Sequence, residues 1–556
     1  MKGFVITTCF LLYAGIFWAQ NTDIVLNHEL YHYTDRLDIK GLTGTFISTD
    51  VKPYSREMLA EVFARTDQSS MGAVESGWHA RMRMLADDTF AVREQFRGVW
   101  GKFYTNQRDL FHVAQPGFRL FLNPVIHFAG GIDHNDYPTA TATNLPVYVN
   151  SRGLVVRGSF REKVGFYTEV YDNVTRLPQF VFNSWQNTQT LHGESFVKRF
   201  GQANGVDYFS SRAYVTYSPW KQMRIKFGKD RAFWGNGYQS LLLSDHAADY
   251  LLLNINTRIW KLVYTNHFTQ MIHFIRNRND NDGVLPRKYG VFHQLTYYPT
   301  TDLSFSIFES VIYSPVVANG RRGFELQYLN PIIFYRAAEQ YIGSPDNSLL
   351  GLQFKYNFLH HVQLYGQILL DDYNYGVRDQ GKGYWGNKLG YQGGLKYVDA
   401  FGISTLDLQA EYNRVRPYTY QHFSVISSYS NYGQYLGHAA GANLDNYFFA
   451  LRYHPFPAWN VFLTYTRLQK GLDTGGINYG GDINFPDTNR PGDFDNVVGQ
   501  GDPWKVTQIY GRLSWQLRNT DIFFEAEGRY RKENENTSTS ILGGLRVNIL
   551  PREVKF

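Results

Sequence analysis

From Phe118 to the last residues the chain alternates apolar with polar side chains. In Thr405 to Arg414, Leu406, Leu408, Ala410 and Tyr412 take one face, and Asp407, Gln409, Glu411 and Asn413 take the other. Ile522 to Arg531 sets Ile522, Phe524, Ala526 and Tyr530 against Glu525, Glu527, Arg529 and Arg531. Successive side chains of a strand point to opposite faces, so a period of two means a sheet with one apolar and one wet face. The stretches run to roughly 9 to 14 residues, and about 9 to 11 tilted residues suffice to cross a bilayer. An open sheet edge in lipid would leave peptide groups without partners, so strands of this kind must close into a barrel.

The links between strands sort into two kinds. Short ones fall at Arg161 to Lys163, Ser218 to Lys221, Asn254 to Asn256, Pro299 to Asp302, Leu359 to His361, Val398 to Gly402, His454 to Ala458 and Arg518 to Thr520. Long polar ones cover 131–146, 173–206, 231–248, 271–288, 315–347, 373–388, 415–443 and 471–502, with a shorter one near 533–538. With Phe324 to Asn330 assigned to a loop, the two kinds alternate throughout and join eighteen strands. The expected fold is therefore an all-β transmembrane barrel of about 18 antiparallel strands. An even number puts both barrel ends on the short-turn side, which in bacterial outer-membrane barrels faces the periplasm. The last strand, Ser540 to Ile549, is amphipathic and the chain ends in Phe556, a pattern similar to the targeting signal of such barrels. One strand departs from the scheme. Glu309 shares the parity of Leu303, Phe305, Ile307 and Val311, which requires a bulge or a patch screened from lipid.

The first 116 residues read differently. Lys2, the apolar stretch Gly3 to Trp18 and Ala19 have the form of a secretory signal peptide, residues 1–19. Cys9, the single cysteine, lies within it, so the exported chain has no disulfide, thiolate metal site or cysteine nucleophile. Residues 20–116 are expected to form a small periplasmic helical region beside a barrel of residues 117–556. Ser55 can cap a helix over 56–65 whose stripe is Met58, Leu59, Val62 and Phe63. Trp78, Met82, Leu85 and Ala86 form a second stripe.

Composition narrows the class. The 556 residues are 17% aromatic and 19% charged with a net charge of +6. Beyond the first twenty positions no apolar run reaches the roughly 18 residues of a membrane helix. Abundant aromatic and β-branched residues with a small net charge exclude a disordered chain, and the aromatic content suits the girdles of an outer-membrane barrel. The wet strand faces bring Glu169, Lys261, His267, Asp371, Lys396, Asp407, Glu411, Arg512, Glu525, Glu527, Arg529 and Arg546 into the lumen. Six carboxylates among five Lys or Arg are expected to form an ion network that, with inserted loops, closes the lumen. Segment 315–347 is the expected plug. No HExxH, P-loop or dinucleotide fingerprint occurs. The chain is thus expected to be no enzyme and to need no cofactor or metal.

Several segments together resemble the capsule-assembly Wzi family in its Bacteroidetes form, which includes RemB-like gliding-motility proteins. They are Asn150-Ser151-Arg152-Gly153, Phe227-Gly228-Lys229-Asp230-Arg231-Ala232-Phe233-Trp234-Gly235, Leu329-Asn330-Pro331, Trp385-Gly386-Asn387-Lys388, Glu411-Tyr412-Asn413 with Arg416-Pro417-Tyr418-Thr419-Tyr420, and Leu436-Gly437-His438 through Gly441-Ala442-Asn443. The resemblance implies a protein of the cell outer membrane with a periplasmic helical bundle, acting as a lectin in attaching polysaccharide to the surface. Its partners would be outer-membrane lipid, an extracellular polysaccharide and a periplasmic protein at the bundle, with no role for nucleic acid. Sugars offer C–H faces to aromatic rings and hydroxyls to paired donors and acceptors, so the expected glycan-binding residues are loop aromatics beside polar groups: Trp185, Trp234, Tyr418, Tyr420, His422, Tyr432 and Tyr435. A gliding or surface-secretion component and a porin-like transporter are the alternatives.

Overall fold

The computed structural model describes residues 21–44, 46–93, 101, 104–161, 163–201, 203–273, 284–317, 320–330, 346–377, 383–517, 520–552 and 554–556. The expected signal segment, 1–19, lies outside the described residues. Eighteen spanning strands are present: β1 Phe118–Asn135, β2 Asn144–Phe160, β3 Val164–Arg176, β4 Gly205–Trp220, β5 Met223–Asp230, β6 Tyr250–Ile259, β7 Leu262–Ile272, β8 Arg287–Tyr297, β9 Leu303–Tyr313, β10 Asn347–Phe358, β11 Val362–Asp372, β12 Lys388–Tyr397, β13 Leu406–Val415, β14 Leu444–Tyr453, β15 Trp459–Leu472, β16 Asp502–Gln516, β17 Ile522–Glu533 and β18 Asn536–Val547. Each pairs antiparallel with the next, and β18 returns to β1 through Ile126–Asn135, so the sheet is closed. Short Phe111–Gln115 occupies the remaining edge of β1 at residues 118–122, so the sheet begins ahead of the expected boundary at 117. Alternate outward residues such as Phe227, Phe305, Ile307 and Ile541 are exposed, as lipid-facing positions must be.

One expected turn is displaced. Asn254 and Asn256 lie inside β6, and the turn falls at Trp260 and Lys261. Both asparagines are ladder residues: Asn256 donates to Thr265 Oγ1 at 2.8 Å, and Asn254 lies 3.2 Å from His267 Nδ1. Amide side chains that favour turns also suit a polar lumen, and here the second role prevails.

The outlier Glu309 needs no bulge, because β9 pairs with β8 and β10 without a register shift. The outer wall is instead covered at this point. Glu309 is only 1% exposed and meets His293 Nε2 at 2.8 Å. Nearby outward residues Phe268, Val291, Val311 and Tyr313 form an apolar cluster with Phe324 and Tyr328 of the segment after β9. The described part of the expected plug, 315–317 and 320–330, thus lines the outside of the barrel. Residues 331–345 lie outside the described residues.

The helices are α1 Glu29–Ile39, α2 Arg56–Arg65, α3 Ala73–Ala86 and α4 Asp88–Arg93. Ser55 caps α2 by accepting from Met58 N at 3.2 Å. Both apolar stripes face a common core with Tyr33 and Leu37 of α1. These helices do not stand beside the barrel but close its short-turn end from within. The segment Val51–Lys52 pairs as a two-residue ladder with Phe233–Trp234, a loop piece inside the lumen. Gly235 N donates to Asp50 O at 2.9 Å, and its φ of +151° is open to glycine alone without strain. After β18 the chain turns inward again, and Phe556 packs against the lumenal apolar core. The terminal aromatic therefore belongs to an inserted tail rather than to the end of the last strand.

Candidate functional site

The strand charges find partners mostly on inserted segments, not on one another. Arg36 of α1 is fully buried, donating to Asp407 Oδ1 at 2.5 Å and Glu75 Oε1 at 3.0 Å and pairing with Asp399. Burial alone would raise the Asp399 carboxyl, but Arg36 and Lys40 outweigh it and hold it below the ordinary value. Lys396 reaches Asp35 at 2.6 Å and Lys355 reaches Asp38 at 2.7 Å. On the opposite wall Arg157 and Arg108 share Asp88 and Asp109. Trp78 of α3 stacks on His454 of a short turn with centroids 3.8 Å apart. Ion pairs at this end thus tie residues of the first 109 positions to the strands and turns, which explains why charges recur there on otherwise regular strands.

The remaining expected network residues divide. Glu525 and Arg546 pair at 2.9 Å, with Arg512 at 4.0 Å, and Glu169 meets Arg212 at 3.3 Å. Asp371 accepts from Tyr420 N at 2.6 Å, and Glu411 accepts from Tyr238 N at 2.7 Å and Gln239 N at 3.0 Å. These two carboxylates anchor loops rather than balance cations. Glu527 lies opposite Arg512 in the ladder, and Arg529 sits against the rings of Phe180 and Tyr510. Lys261 is not lumenal: it occupies the displaced turn and donates to Pro299 O at 2.5 Å.

At the long-loop end, loop 231–249 folds into the lumen and loop 416–443 packs on it. Trp234, Leu241, Leu242 and Leu243 form an apolar core with inward Leu252, Phe292, Phe308, Leu349 and Leu369 of the wall. Tyr420 donates to Leu241 O at 2.8 Å, Tyr429 donates to Leu242 O, and the two rings stack 5.5 Å apart. The tail joins the same assembly, with Lys555 at 3.2 Å from Asp245 and Arg552 at 2.8 Å from Glu194. Burial would raise the Asp245 carboxyl, yet Lys555 and Arg231 hold it below the usual carboxylate range.

This arrangement separates the expected glycan contacts. Trp234, Tyr418 and Tyr420 are 0% exposed, and Trp185 is buried in the lumenal helix α5, Gln179–Thr188, donating to Val197 O. Their rings hold the loops together, and no sugar can reach them without unfolding that packing. His422, Tyr432 and Tyr435 are half-buried, and Tyr435 packs on the lumenal apolar core and lines the cavity beneath. Pattern reading missed a second rim cluster. Arg490 lies 3.9 Å over the Trp385 ring, beside half-buried Tyr384 and exposed Phe494. The Trp385 signal was legible, but Arg490 is more than a hundred residues away, and only loop packing brings it in. Among the described residues no group of three His, Cys, Asp or Glu could hold a metal ion.

A closed eighteen-strand barrel, apolar outside and filled inside by its own helices and loops, defines a plugged outer-membrane protein. The sequence profile of the family described as capsule assembly protein Wzi matches residues 134–536, and the chain belongs to that family. None of the curated proteins matches the chain by sequence. Among solved structures, the fold is similar to that of Wzi from Escherichia coli, an outer-membrane protein involved in group 1 capsule assembly and described as a carbohydrate-binding β-barrel. The TM-score is 0.56 at 15% identity, covering 95% of this chain and 100% of that one. Weaker likeness extends to OccK8 (OprE) of Pseudomonas aeruginosa, with TM-score 0.41, 8% identity, and coverage of 77% and 98%. A BenF-like porin from Pseudomonas fluorescens Pf-5 gives 0.42, 8%, and 77% and 99%.

Proposed function

We propose that this chain is a non-catalytic capsule-assembly barrel that holds polysaccharide at the cell surface. The observation that carries the reading is membership of the Wzi family over residues 134–536, a span that takes in nearly the whole barrel and all of loop 416–443. The description of the Escherichia coli relative as carbohydrate-binding supports it. The short-turn end, with α1–α4, faces the periplasm and offers the outward side of the helices to a periplasmic partner. The long-loop rim faces outward, and the candidate contacts there are His422 and Tyr432 together with Trp385, Tyr384 and Arg490. Half-buried rings beside guanidinium and amide groups meet both the apolar faces and the hydroxyls of sugars. A lumen packed with the helical region, helix α5, loop 231–249 and the tail favours this role over that of an open porin.

The test is capsule staining of a deletion strain complemented with wild type or with a Tyr432→Ala, Trp385→Ala variant, alongside a glycan array on purified protein. Loss of capsule on deletion, and weak retention with the rim variant despite normal barrel assembly, is expected. Full capsule in the deletion strain would remove the proposed role.

A further inference from the structure

On the outer wall of β15–β17 the apolar band ends, toward the long loops, in a row of three neighbours, Tyr465, Ile509 and Tyr530. At its other end the paired neighbours are Trp459, Trp515 and Phe524, so the band runs from one aromatic girdle to the other. The next outward row beyond Tyr465 and Tyr530 is Arg467, Thr507 and Lys532, and Lys505 lies one outward step past Thr507. All three cations are exposed. Strands about 4.8 Å apart and outward steps of about 7 Å put their Cα positions within roughly 10 Å of one another. Among the described residues none of the three has a carboxylate at ion-pair distance. The carboxylates nearby are engaged: Asp445 by Arg414 and the Tyr412 hydroxyl, Glu533 by Arg531 and the Trp504 ring nitrogen, Asp136 by Thr537 N and Oγ1. The outward arginine of β2, Arg152, by contrast faces Asp172 at 3.8 Å.

Directly beneath these cations the band is hollowed. Gly511 and Gly528 are paired neighbours on the outward face, flanked by exposed Leu463 and Ile541. A Cβ at Gly528 would meet no atom within 4 Å, and one at Gly511 only Leu463 Cδ1 at 3.6 Å, so the neighbouring packing demands neither glycine. Glycine weakens a strand interior and often marks a place where a ligand comes close. Outward charge is tolerated on a barrel near the edge of the hydrocarbon, and the row past the girdle on the long-loop side stands at the headgroups of the outer leaflet. The anion that membrane lipids carry at that height is phosphate, which Lys and Arg meet through charge-assisted hydrogen bonds. We propose that the outer wall of β15–β17 binds a phosphorylated lipid of the outer leaflet, Arg467, Lys505 and Lys532 holding the phosphate and the Gly511–Gly528 trough an acyl chain. The inference concerns the lipid around the barrel and is independent of the saccharide reading.

Immobilised full-length protein in nonionic detergent is equilibrated with lipid A carrying its phosphates, or with the same lipid after their enzymatic removal, and the retained lipid is quantified by mass spectrometry. The phosphorylated lipid is expected to bind, and the dephosphorylated one to bind at least about tenfold more weakly. Arg467→Gln, Lys505→Gln, Lys532→Gln in one chain should weaken the phosphorylated lipid by about tenfold or more, whereas Arg152→Gln should change it by less than about twofold. Wild-type binding should also fall between low and high salt. Equal retention of the two lipids, retention indifferent to the triple variant, or an equal loss with Arg152→Gln would overturn the inference. Displacement by inorganic phosphate at the lipid's own concentration would mark a site for the free anion and overturn the assignment to lipid. Should the triple variant fail to assemble, wild-type binding that ignores salt is enough to overturn it.

Discussion

The two halves of the lumen are built from the same kind of strand and filled in opposite ways. Under the long-loop end of β6–β11 the inward residues include Leu252, Met271, Phe292, Phe308, Ile312, Leu349 and Leu369, and they close on Trp234 and the leucines of loop 231–249 as a soluble core would. Across the barrel, β15–β18 turn Arg512, Glu525, Glu527, Arg529 and Arg531 inward around a cavity. The outer face is apolar in both halves because lipid demands it, so the inner face alone records what each half encloses. The inner face follows what it meets: it is apolar against loop 231–249 and charged around the cavity and against the helical region.

The largest expected difference lies between the ion pairs of the helical short-turn end and those of the cavity wall. Removing Arg36 takes the buried guanidinium from Asp407 and leaves Glu75 and Asp399 with Lys40 alone. Breaking such a cluster costs about 3–5 kcal/mol. Arg36→Met should therefore release the helical region to protease and lower the urea midpoint sharply. Arg512→Gln, at 4.0 Å from a Glu525 that keeps Arg546, should cost less than about 1 kcal/mol. Equal losses would mean that the two ion networks are not distinct. Next in size is Trp234→Ala, which empties a fully buried site and should cost about 3–5 kcal/mol. Trp504→Ala, on the half-buried cavity side, should cost well under half of that in the same urea titration.

Alternation made the barrel, its eighteen strands and their outward faces legible, because lipid imposes one rule on every strand. What lies inside obeys no such rule. Asp407, Lys396 and Glu411 were readable as lumenal, yet their partners are Arg36, Asp35 and backbone amides of residues 238 and 239, set by tertiary insertion. Leu241, Leu242 and Leu243 were hidden within a long link, where no period marks a loop that folds back into a core. The glycan candidates failed to separate for the same reason. Tyr420 and Tyr432 are alike in sequence context, and only the packing against Leu241 buries the first.

The filled half should also respond to acid. Burial lowers His438 from its ordinary value to about 3, with Lys555 and Lys470 adding to the effect against a weak bond to Asn446. Between about pH 3 and 6.5 the unfolded chain then binds a proton at this ring that the folded chain refuses. Stability is therefore complete above about pH 6.5 and falls as pH drops toward 3. With each unit of displacement worth about 1.4 kcal/mol, going from pH 7 to 4.5 should remove on the order of 2 kcal/mol. Urea unfolding of wild type and His438→Gln at both pH values checks this, and the variant should lose less on acidification. An equal loss in the two proteins would assign the acid sensitivity to other groups.

The smallest expected effect is the most discriminating for the rim. Tyr420→Phe removes one hydroxyl and leaves the Leu241 carbonyl without that donor, which should cost about 1 kcal/mol. The ring, its stack on Tyr429 and the loop remain, so surface polysaccharide should be retained as in wild type. Tyr432 presents the reverse case. Half-buried and touching Phe196 edge-on at 5.6 Å, it contributes little to the core, so Tyr432→Ala should shift the urea midpoint by no more than about 0.5 kcal/mol while reducing polysaccharide retention. The pair dissociates packing from binding within one loop. If Tyr420→Phe lost polysaccharide in proportion to its lost stability and Tyr432→Ala lost neither, loop 416–443 would serve only to close the barrel, and the rim site would shift to Trp385 and Arg490.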